Sequence, residues 1–181
     1  EYRRQRQMCI RDRDRDGTIN RASDEFVKSP EEWHPLPGSL EAISRLSHAG
    51  FHVVLATNQS GIGRGLFDMA ALNAVHARML KSLAAVGGRI DAIFYCPHAP
   101  DEACACRKPE PGLLFQIQER YGVTLTGVPY VGDSLRDMQA AESVGCVPHL
   151  VRTGRHPDAT ALTLSAAFPV GTQVHADLSA F

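Results

Sequence analysis

The sequence predicts an α/β protein with a mainly parallel sheet flanked by helices. Three observations carry that prediction. Short apolar runs, the mark of strands covered on both faces, recur at 51–56, 90–95, 128–131 and 149–151. Segments with helical spacing of apolar residues separate them, which is the signature of βαβ units and right-handed crossovers. Finally, polar and acidic residues follow the ends of the runs, where ligand sites of parallel sheets lie. The 181 residues suit one domain.

Residues 1–13 (EYRRQRQMCIRDR) begin the chain poorly for such a fold. A first buried strand should be apolar, yet only Met8, Cys9 and Ile10 qualify before the charges of Arg11 to Arg13. The string QMCIRDR also resembles translated sequencing-adapter sequence. Residues 1–13 are therefore expected to be a non-native or degraded leader, and 14–181 the single domain. Farther on, Pro37-Gly38 punctuates, Ser39 suits an N-cap, Leu40, Ile43 and Leu46 fall at helical spacing, and Gly50 suits a C′ position. The run 51–56 reads as a buried strand ending at Thr57-Asn58-Gln59-Ser60, and Gly61, Gly63 and Gly65 are expected to leave the next stretch loose. A helix over 69–86 places Leu72, Val75, Met79 and Leu83 on one face. A strand over 90–95, a helix over 113–121, a strand over 128–131, a helix over 138–144 and a strand over 149–151 follow, with a last weak strand at 173–175. Trp33, among Pro30, Pro35 and Pro37, is expected to pack a rigid connection, and Cys146 to be a small buried hydrophobe. The histidines other than His98 share no ligand spacing and read as surface or satisfied core.

Composition narrows the partners. Nineteen basic residues against 20 acidic give a net charge of −1, so nucleic acid and anionic membrane are not expected. No apolar run approaches the ~20 residues that span a bilayer, and the basic N-terminus lacks the apolar stretch of a signal peptide. Of five cysteines, three crowd into 96–106, which suits metal binding in a reducing, cytosolic setting better than a disulfide framework.

Two constellations carry chemistry. In Asp14-Arg15-Asp16-Gly17-Thr18, carboxylates at i and i+2 of an extended segment face one side. A carboxylate can act as a phosphoryl-accepting nucleophile, and a second carboxyl nearby can protonate the leaving oxygen and then activate water. Asp133 offers an oxygen ligand for Mg²⁺, Lys108 a charge for phosphate and Thr57 a hydroxyl donor. Singly, each has a plainer explanation as turn, solvated charge or cap; all four standing at strand ends does not. The other constellation, Cys96-Pro97-His98 with Cys104-Ala105-Cys106, supplies three thiolates and an imidazole, a closed tetrahedral set for structural Zn²⁺. The competing disulfide would need a strained Cys-x-Cys bridge.

With these in place, Asp14-Arg15-Asp16-Gly17-Thr18, Thr57-Asn58-Gln59-Ser60-Gly61, Arg107-Lys108-Pro109 and Gly132-Asp133-Ser134-Leu135-Arg136-Asp137 resemble the four ordered motifs of the haloacid dehalogenase (HAD) superfamily. The resemblance runs from about residue 14 to 153 and implies a Rossmann-like HAD fold with no large cap domain. It implies Asp14 as nucleophile, Asp16 as general acid/base, and Thr57 and Lys108 stabilising the phosphoryl group. It also implies Mg²⁺ held by Asp14, the Asp16 main-chain carbonyl and Asp133. DRDGTIN, TNQSGIGRG, CPH with CACRKP, and VGDSLRDMQAA further resemble the D-glycero-D-manno-heptose 1,7-bisphosphate 7-phosphatases, although Gly63 stands where alanine is expected. That family removes the C7 phosphate of a sugar bisphosphate during ADP-heptose synthesis for lipopolysaccharide core, in the cytoplasm. Asn58, Gln59, Ser60, Arg64 and Arg107 would line the substrate pocket, Arg107 against a second anionic group. A monomer is the expectation for such a chain. The histidinol-phosphate phosphatases share a similar zinc loop and form the alternative. From another class, a disrupted first strand would leave a zinc-bearing binding protein with impaired catalysis.

Overall fold

The computed structural model describes residues 10–181, with side chains from Asp14 onward. Six strands, β1 (Ile10–Arg13), β2 (His52–Asn58), β3 (Ala92–Cys96), β4 (Pro129–Gly132), β5 (Val147–Val151) and β6 (Gln173–His175), form one sheet in the order β3-β2-β1-β4-β5-β6. Every neighbouring pair is parallel. Helices α1 (Ser39–His48), α3 (Met69–Ala85), α4 (Gly112–Tyr121) and α5 (Leu135–Ser143) cover the two faces, and the short α2 (Ser60–Gly63) follows β2.

Strand alternation explains how one sheet feeds two cores. Val53 and Leu55 of β2, Val131 of β4 and Val151 of β5 pack with Leu40 and Ile43 of α1 and Val75, Met79 and Leu83 of α3. Their immediate neighbours, Val54, Ala56, Tyr130 and Leu150, point to the opposite face and pack with Leu113, Leu114 and Ile117 of α4 and Met138 of α5. The predicted helical face of Leu72, Val75, Met79 and Leu83 is fully buried, and Trp33 joins the core. The histidines outside the zinc loop include a pair across the β5–β6 register, His149 and His175, bonded at 2.9 Å.

Four local expectations change. Residues 10–13, judged too charged for a central strand, form β1 between β2 and β4, with Ile10 to Arg13 in register with His52 to Leu55. The sheet therefore starts four residues before the expected boundary at 14; Met8 and Cys9 lie outside the described residues. Ser39 is the first residue of α1 rather than its cap, because its hydroxyl donates to the Ile19 carbonyl (2.7 Å), and Gly38 caps with φ 74°. The glycine-rich stretch is ordered from Ser60 into the single-turn α2. Helix α5 also begins earlier than its apolar residues suggest, since Ser134 and Asp137 form a capping box.

Candidate active site

The strand order reverses between β1 and β4, and the carboxyl ends at such a switch point form a crevice. Asp14 stands just past β1, its amide donating to the Val131 carbonyl of β4 (2.9 Å), and Asp133 stands just past β4. The backbone must pass very close to Asp133 here. A Cβ at Gly17 (φ 79°) or at Gly154 would collide with the Asp133 carboxylate, so glycine is required at both positions.

Lys108 lies at the centre of the charge. Its Nζ reaches Asp14 Oδ1 at 2.9 Å and Asp137 Oδ1 at 2.6 Å. It also donates to the Ala56 carbonyl at 2.7 Å and the Tyr130 hydroxyl at 3.1 Å. Burial opposes the Lys108 charge, but Asp137 and Asp14 outweigh it and hold the ammonium well above the usual lysine range. Burial, then the Asp137 charge, push Asp14 up to about 6 against the pull of Lys108. Burial with Asp137 and Asp14 pushes Asp133 up to about 8, while an amide donated by Arg155 partly offsets it.

Oxygens of Asp14, Asp133 and Asp137 lie within 4.8 Å of one another. Three carboxylates against one ammonium are short of positive charge, so the donor set fits a hard cation such as Mg²⁺. Asp137 is already held, since its Oδ2 accepts from the Ser134 amide (3.0 Å) and hydroxyl (2.6 Å) while its Oδ1 holds Lys108. Asp14 and Asp133 each have one oxygen engaged, by Lys108 and by the Arg155 amide.

Asp16 lies on the same cavity but belongs to a different network. Its Oδ1 accepts from Asn20 at 2.9 Å and its Oδ2 from Gln59 at 2.9 Å, and Arg15 donates to both oxygens at 3.0 Å. Burial would raise this carboxyl, but Arg15 together with the Asn20, Arg15 and Gln59 bonds lowers it below the usual range.

Of the residues singled out in the sequence, Asp14, Asp16, Asn58, Gln59, Ser60, Arg107, Lys108 and Asp133 line one cavity. Two of these have their amides engaged: Asn58 brackets the Lys108 backbone (3.0 and 3.1 Å), and Gln59 bridges Asp16 and the Thr57 hydroxyl (3.0 Å). Thr57 is fully buried and outside the lining. Arg64 is exposed, 5.8 Å over the Phe26 ring, and also outside it. Residues not foreseen join the wall, among them Arg136, Asp137 and Arg155. Burial first, and then the neighbouring Arg136 and Arg64 charges, lower Arg107; crowded guanidiniums on one wall suit a second anionic group. Asp137 had a legible signal, the Ser-x-x-Asp box before an apolar run. Arg15 had none beyond its place in a charge run.

The zinc expectation fits closely. Cys96, His98, Cys104 and Cys106 place one ligand atom each within 4.8 Å of the others. Cys96 Sγ lies 3.7 Å from Cys104 Sγ, 3.0 Å from Cys106 Sγ and 3.4 Å from His98 Nδ1. Zn–S bonds of about 2.3 Å in a tetrahedron give ligand separations of about 3.8 Å, so these ligands need only spread slightly to surround the ion. The loop also docks on the site: Gln59 and Gly63 amides donate to the Cys96 and Pro97 carbonyls (both 2.8 Å), and Arg107 donates to the His98 carbonyl (3.5 Å).

A family model described as HAD-hydrolase-like matches residues 105–180. Among solved structures, D,D-heptose 1,7-bisphosphate phosphatase from Bordetella bronchiseptica, complexed with magnesium and phosphate, superposes with a TM-score of 0.91. It is 57% identical, over 96% of this chain and 95% of that one. The D-glycero-β-D-manno-heptose-1,7-bisphosphate 7-phosphatase of B. bronchiseptica is 59% identical over 167 residues, 92% of each chain. The chain belongs to the D-glycero-β-D-manno-heptose-1,7-bisphosphate 7-phosphatase family. The Pseudomonas aeruginosa member is 52% identical over the same share. The chain is thus an enzyme of the HAD phosphatase type. The reading as an impaired binding protein rested on a disrupted first strand, and β1 pairs on both sides with Asp14 tied to β4.

Proposed function

We propose that this chain removes the C7 phosphate of D-glycero-β-D-manno-heptose 1,7-bisphosphate through an aspartyl-phosphate on Asp14. The observation that carries the reading is the meeting of Asp14, Lys108 and Asp133 at the β1–β4 switch, beside a wall bearing Arg107 and Arg136. Relatives at 59% and 52% identity are named for that substrate, which favours it over histidinol phosphate.

Asp14 attacks the phosphorus in line, and Asp16 protonates the departing C7 oxygen. Water then cleaves the acyl-phosphate, with Asp16 as base. Lys108, held between Asp14 and Asp137, balances charge on the transferring group. Mg²⁺, when held by Asp14, the Asp16 carbonyl and Asp133, supplies further charge neutralisation for the phosphoryl oxygens. Zn²⁺ at Cys96, His98, Cys104 and Cys106 fixes the loop that delivers Arg107 and Lys108. Arg107 binds the second phosphate with Arg136 beside it; Ser60 lines the pocket, Asn58 and Gln59 brace it, and Thr57 acts from beneath through Gln59. Arg64 adds charge at the rim.

The near-neutral chain suits a small anionic substrate rather than nucleic acid. None of the helices among the described residues is long and apolar enough to cross a membrane. We place the enzyme in the cytoplasm as a monomer, without membrane partners. Incubation with heptose bisphosphate, followed by ³¹P NMR, should show loss of the C7 resonance while the C1 phosphate persists. Loss of the C1 phosphate first, or faster turnover of histidinol phosphate, would overturn the assignment.

A further inference from the structure

Arg15 is completely buried, yet the carboxylate it pairs with is not: the Asp16 side chain remains 29% exposed, on the wall of the active-site cavity. Burying a guanidinium is costly unless its donors are satisfied, and here they are, from three sides. Arg15 Nε donates to Asp16 Oδ1 (3.2 Å) and Nη2 to Asp16 Oδ2 (3.0 Å); Nη2 also lies 3.0 Å from Oδ1 and 3.3 Å from Gln59 Oε1, and Nη1 meets His76 Nε2 at 3.1 Å. A guanidinium has donors only, so His76 Nε2 accepts and its proton sits on Nδ1. Burial, with the Arg15 charge behind it, keeps this imidazole neutral, its pKa down to about 4.

His76 stands on α3 beside Val75, which is packed into the core with Met79 and Leu83. A rigid helix thus presents an acceptor to Arg15, and Arg15 presents a two-pronged fork to Asp16. The fork matters because a carboxylate held by two parallel bonds is fixed in rotation as well as in place. Asn20 and Gln59 complete the grip, one on each oxygen.

We propose that Arg15 and His76 are positioning residues for Asp16, aiming its carboxyl at the leaving oxygen from a brace on α3. The inference rests on the reading of Asp16 as general acid/base. Neither residue touches substrate; both act through Asp16. A purely structural ion pair would be needed for folding alone and would leave no mark on one half of the chemistry.

The test compares kcat/KM for two substrates in His76→Leu, His76→Gln, Arg15→Lys and Asp16→Asn. Heptose bisphosphate has an alkoxide leaving group that needs a proton; p-nitrophenyl phosphate has a leaving group that does not. His76→Leu and Arg15→Lys should lose ~10–100-fold on the alkyl phosphate and less than ~3-fold on the aryl phosphate, the size expected for a displaced catalytic group. His76→Gln, which retains an acceptor, should stay within ~3-fold of wild type on both. Equal losses on both substrates, or no loss, in His76→Leu and Arg15→Lys overturn the inference. Asp16→Asn keeps the two readings apart: if it too lacks the alkyl-selective loss, the acid/base assignment itself falls. Should His76→Leu fail to fold, Arg15→Lys and His76→Gln decide by the same ratio.

Discussion

Breaking the Lys108–Asp137 pair should be among the costliest single changes in this molecule. The two side chains are 2% and 1% exposed, with 2.6 Å between Nζ and Oδ1. Asp137→Asn removes the charge but leaves an oxygen to accept from Ser134, so the cap of α5 survives. Lys108→Met removes the cation and leaves Asp14 and Asp137 facing one another. Removing one partner of a buried pair costs about 3–5 kcal/mol, nearer the upper end for Lys108→Met, which strands two carboxylates, and nearer the lower end for Asp137→Asn, where Lys108 keeps Asp14 at 2.9 Å. Total stabilities run about 5–15 kcal/mol. At ~2–4 °C per kcal/mol for a chain of this size, each variant should melt ~6–20 °C lower. The double variant removes a neutral pair and should cost at least ~2 kcal/mol less than the sum of the singles. Urea denaturation in magnesium-free buffer with zinc retained gives all four corners of the cycle. Single costs below ~1 kcal/mol, or additivity within ~0.5 kcal/mol, would refute the view that this pair carries the site's charge balance.

Cys104→Ser should lower bound zinc in metal analysis, lower the melting temperature and reduce kcat, since the same loop runs into Arg107 and Lys108; unchanged melting and activity would contradict a structural zinc. The neutral His76 makes stability depend on pH. Its folded pKa, about 4, lies below its ordinary 6.5. The unfolded chain therefore binds the extra proton between those values, and stability falls as pH drops from 6.5 toward 4, by up to ~3 kcal/mol from this group. Denaturation curves at pH 7.5 and pH 5 should show that difference shrink in His76→Leu; an undiminished difference would count against the neutral, accepting imidazole.

The sheet was legible wherever burial on both faces made strands apolar, as in 51–56 and 128–131, and the helical face of α3 was legible to the residue. The first strand was not. Its charges obey no strand pattern, and its place in the sheet is set by pairing with His52 to Leu55 and with Tyr130 and Val131. Local rules also failed at Ser39, whose hydroxyl serves a carbonyl twenty residues away rather than its own helix. At the site, most residues named from linear motifs line one cavity, whereas contacts made across the fold left no trace in the sequence. Arg15 and His76 are 61 residues apart and meet only because α3 packs beside the loop that follows β1. Asn58 and Gln59 line the cavity, but the use of their amides as braces for Lys108 and Asp16 depends on distances that spacing does not encode.

The central claim, that Asp14 is the group that takes the phosphoryl, is tested most directly by trapping it. Substrate labelled in the C7 phosphate is mixed with enzyme, quenched in acid within a turnover, and the phosphoprotein is mapped by peptide. The account predicts label on the peptide carrying Asp14, chased away by unlabelled substrate and absent in Asp14→Asn. Steady turnover with no labelled protein, or label on any other residue, would contradict it.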